Sequence, residues 1–340
     1  MLRAFTGSLL FTAAAFVLAA VYGWETTQSL SATLDILWIV AVLAVLEVSL
    51  SFDNAVVNAT VLADMDPIWR RRFLVWGMPI AVFGMRIVFP LAIVALAAGV
   101  GPAEALRLSL HDPARYAAIL TGAHVAIAGF GGAFLMLVGL EYFIDASKKV
   151  HWLGPIERRL AALGPIEASA IALVLAALLI IAQALPHEEA ATFIRAGIIG
   201  VLVHVGVAAL GTVIESREAA RAAAGAVVRS GLGGFIMLEV LDASFSLDGV
   251  IGAFALSNAM VVIAIGLSIG AMFVRSITLL LVARGTLGEW RFLEHGAFWA
   301  IVALGVIMLA SVRIEIPEAV TGLIGAILIG LALFASQSRA

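Results

Sequence analysis

Apolar residues along this chain gather into long runs separated by short polar or basic stretches, and ten of the runs can cross a lipid bilayer. A helix needs about 20 apolar residues to span the hydrocarbon. By that rule the spans fall near 5–22, 33–60, 72–99, 117–144, 167–185, 191–214, 231–256, 259–283, 295–312 and 317–336. The pattern predicts an all-α fold, a polytopic membrane helix bundle of about ten transmembrane spans, because helices satisfy their own backbone groups in lipid. The tightest connection is the turn at 257–259, between the seventh and eighth spans. Segment 147–166 mixes Lys, Arg, Trp and Leu and reads as an interfacial helix or linker between two halves. The first run, Leu9 to Tyr22, has the length of a signal-peptide core, but only Arg3 precedes it and many spans follow, so a retained first helix is expected.

Composition names the solvent. Hydrophobic residues make up 63% of the 340 positions and charged residues 13%, against about 45–50% apolar and about 25% charged in soluble domains. So much apolar surface must face lipid. No cysteine is present, which excludes thiolate metal sites, iron–sulfur ligation and disulfides. The basic residues test the span count. With a cytoplasmic N-terminus, fourteen Lys and Arg, including Arg70, Arg71, Arg72, Lys148 and Lys149, fall on one side and four on the other. The remaining two, Arg86 and Arg275, lie inside spans. Cytoplasmic loops carry the Lys and Arg excess, so the expectation is a multi-pass protein of the plasma (inner) membrane with both termini in the cytoplasm.

Two spans stand apart. The second contains Leu46-Glu47-Val48 followed by Ser51-Phe52-Asp53-Asn54, and the seventh contains Leu238-Glu239-Val240 followed by Ser246-Leu247-Asp248-Gly249. The later copy has three extra residues between its Glu and its last Asp. Each is followed by a span holding one arginine, Arg86 or Arg275, and then by a Gly/Ala-rich span. Five spans separate the two starts, so the copies enter the membrane from opposite sides: a three-helix inverted repeat, as in many secondary transporters. The chain then divides into an N-terminal span and loop (1–32), a first repeat half (33–146), a linker with two connecting spans (147–230) and a second half with the C-terminal span (231–340).

The repeats carry the candidate chemistry. Glu47, Asp53, Glu239, Asp242 and Asp248 all sit within spans, where one carboxylate costs about 2.5–3.5 kcal/mol even on insertion-based scales. Arg86 and Arg275 cannot balance five acids, so protons or a bound cation must supply the rest. Glu47, Ser51, Asn54 and Asn58 form one polar stripe at helical spacing; Glu239, Asp242, Ser246 and Gly249 form another. Asp53 and Asp248 fall off these stripes on straight helices. Asp-Asn and Asp-Gly are poor helix-interior pairs, so unwinding is expected near Ser51–Asn54 and Ser246–Gly249. The resulting carboxylate, hydroxyl, amide and carbonyl set suits a hard divalent cation such as Mn²⁺, Ca²⁺ or Mg²⁺. Plainer readings stand beside it. Ser49, Ser51, Ser244 and Ser246 fit as small packing residues, Asn54 and Asn58 as interhelical hydrogen-bond partners, and Asp53 and Asp248 as salt-bridge partners of Arg86 and Arg275. His124, His204 and His295 read as packing hydrogen-bonders, and Glu141 has no assigned role.

At Ser51-Phe52-Asp53-Asn54-Ala55 and at Asp242-Ala243-Ser244-Phe245-Ser246-Leu247-Asp248 the chain resembles the TerC family of integral membrane proteins, and within it the branch labelled as a domain of unknown function. The resemblance covers about 33–336. It implies membership of a wider group of cation exporters, with manganese efflux as the activity and tellurite resistance as the historical name. It also implies functional roles for Asp53, Asn54, Asp242, Ser244 and Asp248. The expected function is therefore a secondary transporter exporting a divalent cation, Mn²⁺ first, by alternating access around midplane carboxylates. Its metal set is Glu47, Asp53, Asn54, Glu239, Asp242, Ser244 and Asp248, supported by Ser51, Asn58, Ser246, Arg86 and Arg275. No prosthetic group, no catalysis and no nucleic acid is expected; the partners are the bilayer, the cation, protons as counter-ion and, within a homo-oligomer, a second copy. Two alternatives remain, an intramembrane aspartyl-type hydrolase and a membrane scaffold for metal or tellurite stress-response partners.

Overall fold

The computed structural model describes residues 2–77, 79–166, 168–223, 231–254, 256–284, 290–314 and 316–338. Every regular element among them is helical. In chain order these are α1 (Leu2–Thr27), α2 (Leu30–Leu50), α3 (Phe52–Asp64) and the short α4 (Pro67–Arg72), then two π-helical stretches at Phe73–Gly77 and Ile80–Val88. There follow α5 (Phe89–Ala98), α6 (Pro102–His111), α7 (Pro113–Gly122), α8 (His124–Ile144), α9 (Gly154–Ala161), α10 (Ser169–Ala182) and α11 (His187–Ala223). The last are α12 (Leu232–Ala253), α13 (Met260–Arg284), α14 (Leu293–Ser311) and α15 (Glu318–Ser338).

Seven described helices are long and apolar enough to cross a membrane, which makes this a polytopic helical membrane protein. The other three expected spans correspond to α10, to α12 and to α15. Helix α10 has 14 residues, α12 carries three acids along its 22 residues, and α15 is apolar over only part of its length, Leu323–Gln337. Two expected spans are also less regular than their hydropathy suggests. Span 72–99 winds as two π-helical stretches before α5, and span 117–144 is jointed at Ala123, between α7 and α8.

Packing is reciprocal between the two copies. The first motif pair, α2 and α3, packs on α13, the helix that follows the second motif. The second motif helix, α12, packs on the π-helical stretch Ile80–Val88, which follows the first. The two glycine-rich helices, α8 and α14, pack on each other. Lipid offers no hydrophobic drive for helix association, so close van der Waals contact has to supply it. Small residues permit that contact: a Cβ on Gly305 would stand 2.9 Å from the Met136 side chain and 3.3 Å from the Gly132 carbonyl. Leu43, Val56, Phe134, Leu241, Ile263 and Ile301, drawn from both copies, meet in one buried cluster that encloses the polar residues of the motif helices.

Candidate functional site

The first motif breaks its helix where expected. Ser51 lies between α2 and α3 at φ −102° and ψ 17°, donating its N–H to the Glu47 carbonyl (3.0 Å) and accepting from Ala55 N (3.1 Å). The interruption is thus one residue long. Asp53 falls in the first turn of α3, where its Oδ1 accepts from Asn54 N at 2.9 Å and the helix dipole favours negative charge.

The second expected interruption is absent: α12 runs without a break from Leu232 to Ala253. Its hydroxyls find partners without opening the backbone. Ser244 Oγ donates to the Val240 carbonyl at 3.1 Å, and Ser246 Oγ accepts from Arg86 Nη1 at 2.7 Å. The Asp248 side chain lies outside the described residues.

Two polar centres hold the motif helices together. At the first, Arg86 Nη2 donates to Glu47 Oε1 in a buried ion pair, and Ser51 Oγ donates to the same oxygen at 2.9 Å. Arg86 therefore pairs with Glu47, not with Asp53 as the salt-bridge reading had it. Glu47 Oε2 faces Gly249, where a Cβ would stand 3.3 Å away, and Gly270 lies so close that a Cβ there would overlap the Glu47 side chain. At the second centre, Asp242 Oδ1 accepts from Asn54 Nδ2 at 2.5 Å and from Asn58 Nδ2 at 3.3 Å. A carboxylate oxygen accepts, so both amides present their nitrogens to it. Their carbonyl oxygens, Asn54 Oδ1 and Asn58 Oδ1, are left buried without a hydrogen-bond partner among the described residues, and so are both carboxylate oxygens of Glu239. Glu239 Oε1 sits behind Gly77, 3.1 Å from where a Cβ would be. Buried polar atoms left unpaired are uncommon and need a reason. These oxygens are the donor type a hard cation takes; Arg86 Nε, on the wall of the same cavity, is also without a hydrogen-bond partner among the described residues.

Two small cavities meet at Glu47. The first, about 40 Å³, is lined by Glu47, Ser51, Asn54, Asn58, Arg86 and Asp242 and continues past Arg275 to Phe73, close to the basic run Arg70–Arg72. The second, about 20 Å³, is lined by Glu47, Ser51, Asp53, Gly249, Thr321 and Gly325 and lies toward the start of α15. Among the described residues, only Glu47 and Ser51 border both. Space of this size accommodates one to a few waters.

The expected ligand set is therefore divided. Glu47, Asn54 and Asp242 share the first cavity with Ser51, Asn58, Arg86 and Arg275, while Asp53 faces the second. Glu239 adjoins the first cavity through Gly77, and Ser246 reaches it through Arg86. Ser244 is fully buried and bonded to its own helix. Among the described residues, no three His, Asp or Glu side chains form a ready-made metal cage. Two contributors escaped the sequence reading: the π-helical winding around Arg86, and Thr321 with Gly325 on the last helix. A lone hydroxyl in an apolar run was the only signal for the latter.

Residues 52–340 match the sequence profile of a family described as a protein of unknown function, DUF475. The chain belongs to the DUF475 family. The matched stretch holds Asp53, Asn54, Arg86 and all of α12, whereas Glu47 precedes it. No match was found among curated proteins or among solved structures.

Proposed function

We propose that this DUF475 protein is a secondary transporter that exports a divalent metal cation, Mn²⁺ first among the candidates, by alternating access around Glu47. One observation carries the proposal: two small cavities, each with carboxylate and hydroxyl oxygens in its wall, meet at Glu47, whose carboxylate is held by the protein's own guanidinium. Arg86 then stands where a cation would stand. A divalent ion entering the first cavity meets Asp242 and the unpartnered oxygens of Asn54, Asn58 and Glu239. Displacing Arg86 from Glu47 opens the way to Ser51 and Asp53 in the second cavity. Return of the guanidinium, or of protons, resets the site.

The distribution of Lys and Arg supports a plasma-membrane protein with both termini cytoplasmic; on that reading the first cavity, which runs to Phe73 beside Arg70–Arg72, faces inward and outward movement is the productive direction. The resemblance to TerC proteins points the same way, toward manganese. Expression in manganese-sensitive cells, with intracellular metal measured, tests the reading. Export should lower accumulated Mn²⁺, and Asp53→Asn should abolish the effect. Unchanged accumulation of Mn²⁺, Ca²⁺ and Mg²⁺ would remove the proposal.

A further inference from the structure

Away from the transport path, one buried acid has no part in the mechanism above. Glu157 on α9 is 1% exposed, yet it is fully engaged. Its carboxylate accepts from Trp152 N (2.8 Å), Leu153 N (3.1 Å) and Trp299 Nε1 (2.9 Å). His295 Nε2, on α14, lies 2.9 Å from the Val150 carbonyl. These bonds tie the loop before α9 to the start of α14. Burying a carboxylate under three donors fixes the shape of that loop, since loss of any donor leaves a costly charge behind.

The loop so fixed forms one wall of a concavity of about 560 Å³ lined by Lys149, His151, Trp152, Arg158 and Arg291. No carboxylate among the described residues lines it. Among the described residues, none of Lys149, Arg158 and Arg291 lies within salt-bridge distance of an acid. The hollow sits where α8 ends at Ile144 and α14 begins at Leu293, at one end of two membrane helices, with Trp152 in its wall and Ile156 exposed beside it. Surface lysines alone would reflect topology. Three cations that meet no acid within salt-bridge distance among the described residues, gathered in one hollow beside an apolar edge, ask for a doubly faced ligand.

We propose that this hollow binds the phosphate headgroup of an anionic phospholipid, whose acyl chains run down the adjoining apolar edge of α9. Lys149, Arg158 and Arg291 hold the phosphate, as basic pockets at cytoplasmic membrane surfaces do, and the indole of Trp152 lies at headgroup depth. The site needs nothing from the transport reading and stands or falls without it.

The test uses the full chain, purified in neutral detergent. Phosphatidylglycerol, phosphatidylcholine or inorganic phosphate is added, and thermal stability and bound lipid by native mass spectrometry are read. Phosphatidylglycerol should raise the melting temperature above that in phosphatidylcholine and remain bound at one molecule per chain. The combined variant Lys149→Gln, Arg158→Gln, Arg291→Gln should lose both effects. Should it fail to fold, Arg291→Gln alone should lower lipid occupancy several-fold while Arg291→Lys retains it. Equal stabilisation by both lipids, an increment that survives these substitutions, or full reproduction of it by inorganic phosphate would each overturn the proposal.

Discussion

Replacing Arg86 with Gln tests the centre of the molecule most directly. Arg86 is 6% exposed and Glu47 2% exposed, and the guanidinium supplies Glu47 with its one positive partner among the described residues. Ser51 Oγ remains as a donor at 2.9 Å, but a hydroxyl does not neutralise a carboxylate. Breaking a buried pair by removing one member costs about 3–5 kcal/mol. At roughly 2 °C per kcal/mol for a chain of this size, the melting temperature should fall about 6–10 °C. The informative measurement is the repair. If cargo and guanidinium compete for Glu47, Mn²⁺ should stabilise Arg86→Gln more than wild type, and at a hundredfold excess over its dissociation constant binding restores about 2.7 kcal/mol. The double variant Arg86→Gln, Glu47→Gln should recover most of the lost stability without metal and show no extra Mn²⁺ response. Thermal unfolding of the three proteins, with and without Mn²⁺, reads all of this. A single variant that melts like wild type, or one whose response to Mn²⁺ is no larger, refutes the reasoning.

Three further outcomes follow from the same geometry. Gly270→Ala should lower the melting temperature by the equivalent of about 1–3 kcal/mol of overpacking, since its Cβ would overlap Glu47 and stand 2.9 Å from the Ala44 carbonyl; Gly7→Ala, with nothing within 4 Å, is the neutral control in the same assay. Glu239→Gln should leave the melting temperature unchanged or higher, because neither carboxylate oxygen has a partner to lose, yet it should cut metal export in the accumulation assay; intact export would remove Glu239 from the path. Burial pushes the Lys148 amine, outside the spans and against the Tyr142 ring, down from 10.5 to about 8. The folded chain then binds fewer protons than the unfolded chain between those values, so its stability rises with pH across that window. Lys148→Met should therefore be stabilising at pH 7, with the advantage shrinking as pH climbs past about 8 in a series of melting curves.

Much of the fold was legible because lipid imposes a simple rule on length and polarity. The acids of α12 were visible for the same reason: nothing apolar explains Glu239 and Asp242 inside a span. The kink at Ser51 followed from the helix-poor pair Asp53-Asn54, whose side-chain and backbone groups bond each other at 2.9 Å. The same logic failed at Ser246–Gly249, since it took no account of a partner from another helix. Arg86 reaches across to Ser246 and satisfies it in place. The union of Arg86 with Glu47 was hidden for a related reason. Both partners were plain in the sequence, but 39 positions separate them, and which of several acids a buried arginine meets depends on helix rotation. The winding of Ile80–Val88 left no trace in hydropathy at all, because a hydropathy sum counts which residues are apolar and not which way each one faces.

That winding has a mechanical consequence. A π turn holds one residue more than the α turn it replaces, and each residue of an α-helix corresponds to about 100° of rotation. Letting the surplus residue migrate along Ile80–Val88 would swivel Arg86 away from Glu47 while the flanking segments keep their seats. A buried side chain would thus be turned like a key, with no helix having to slide or tilt.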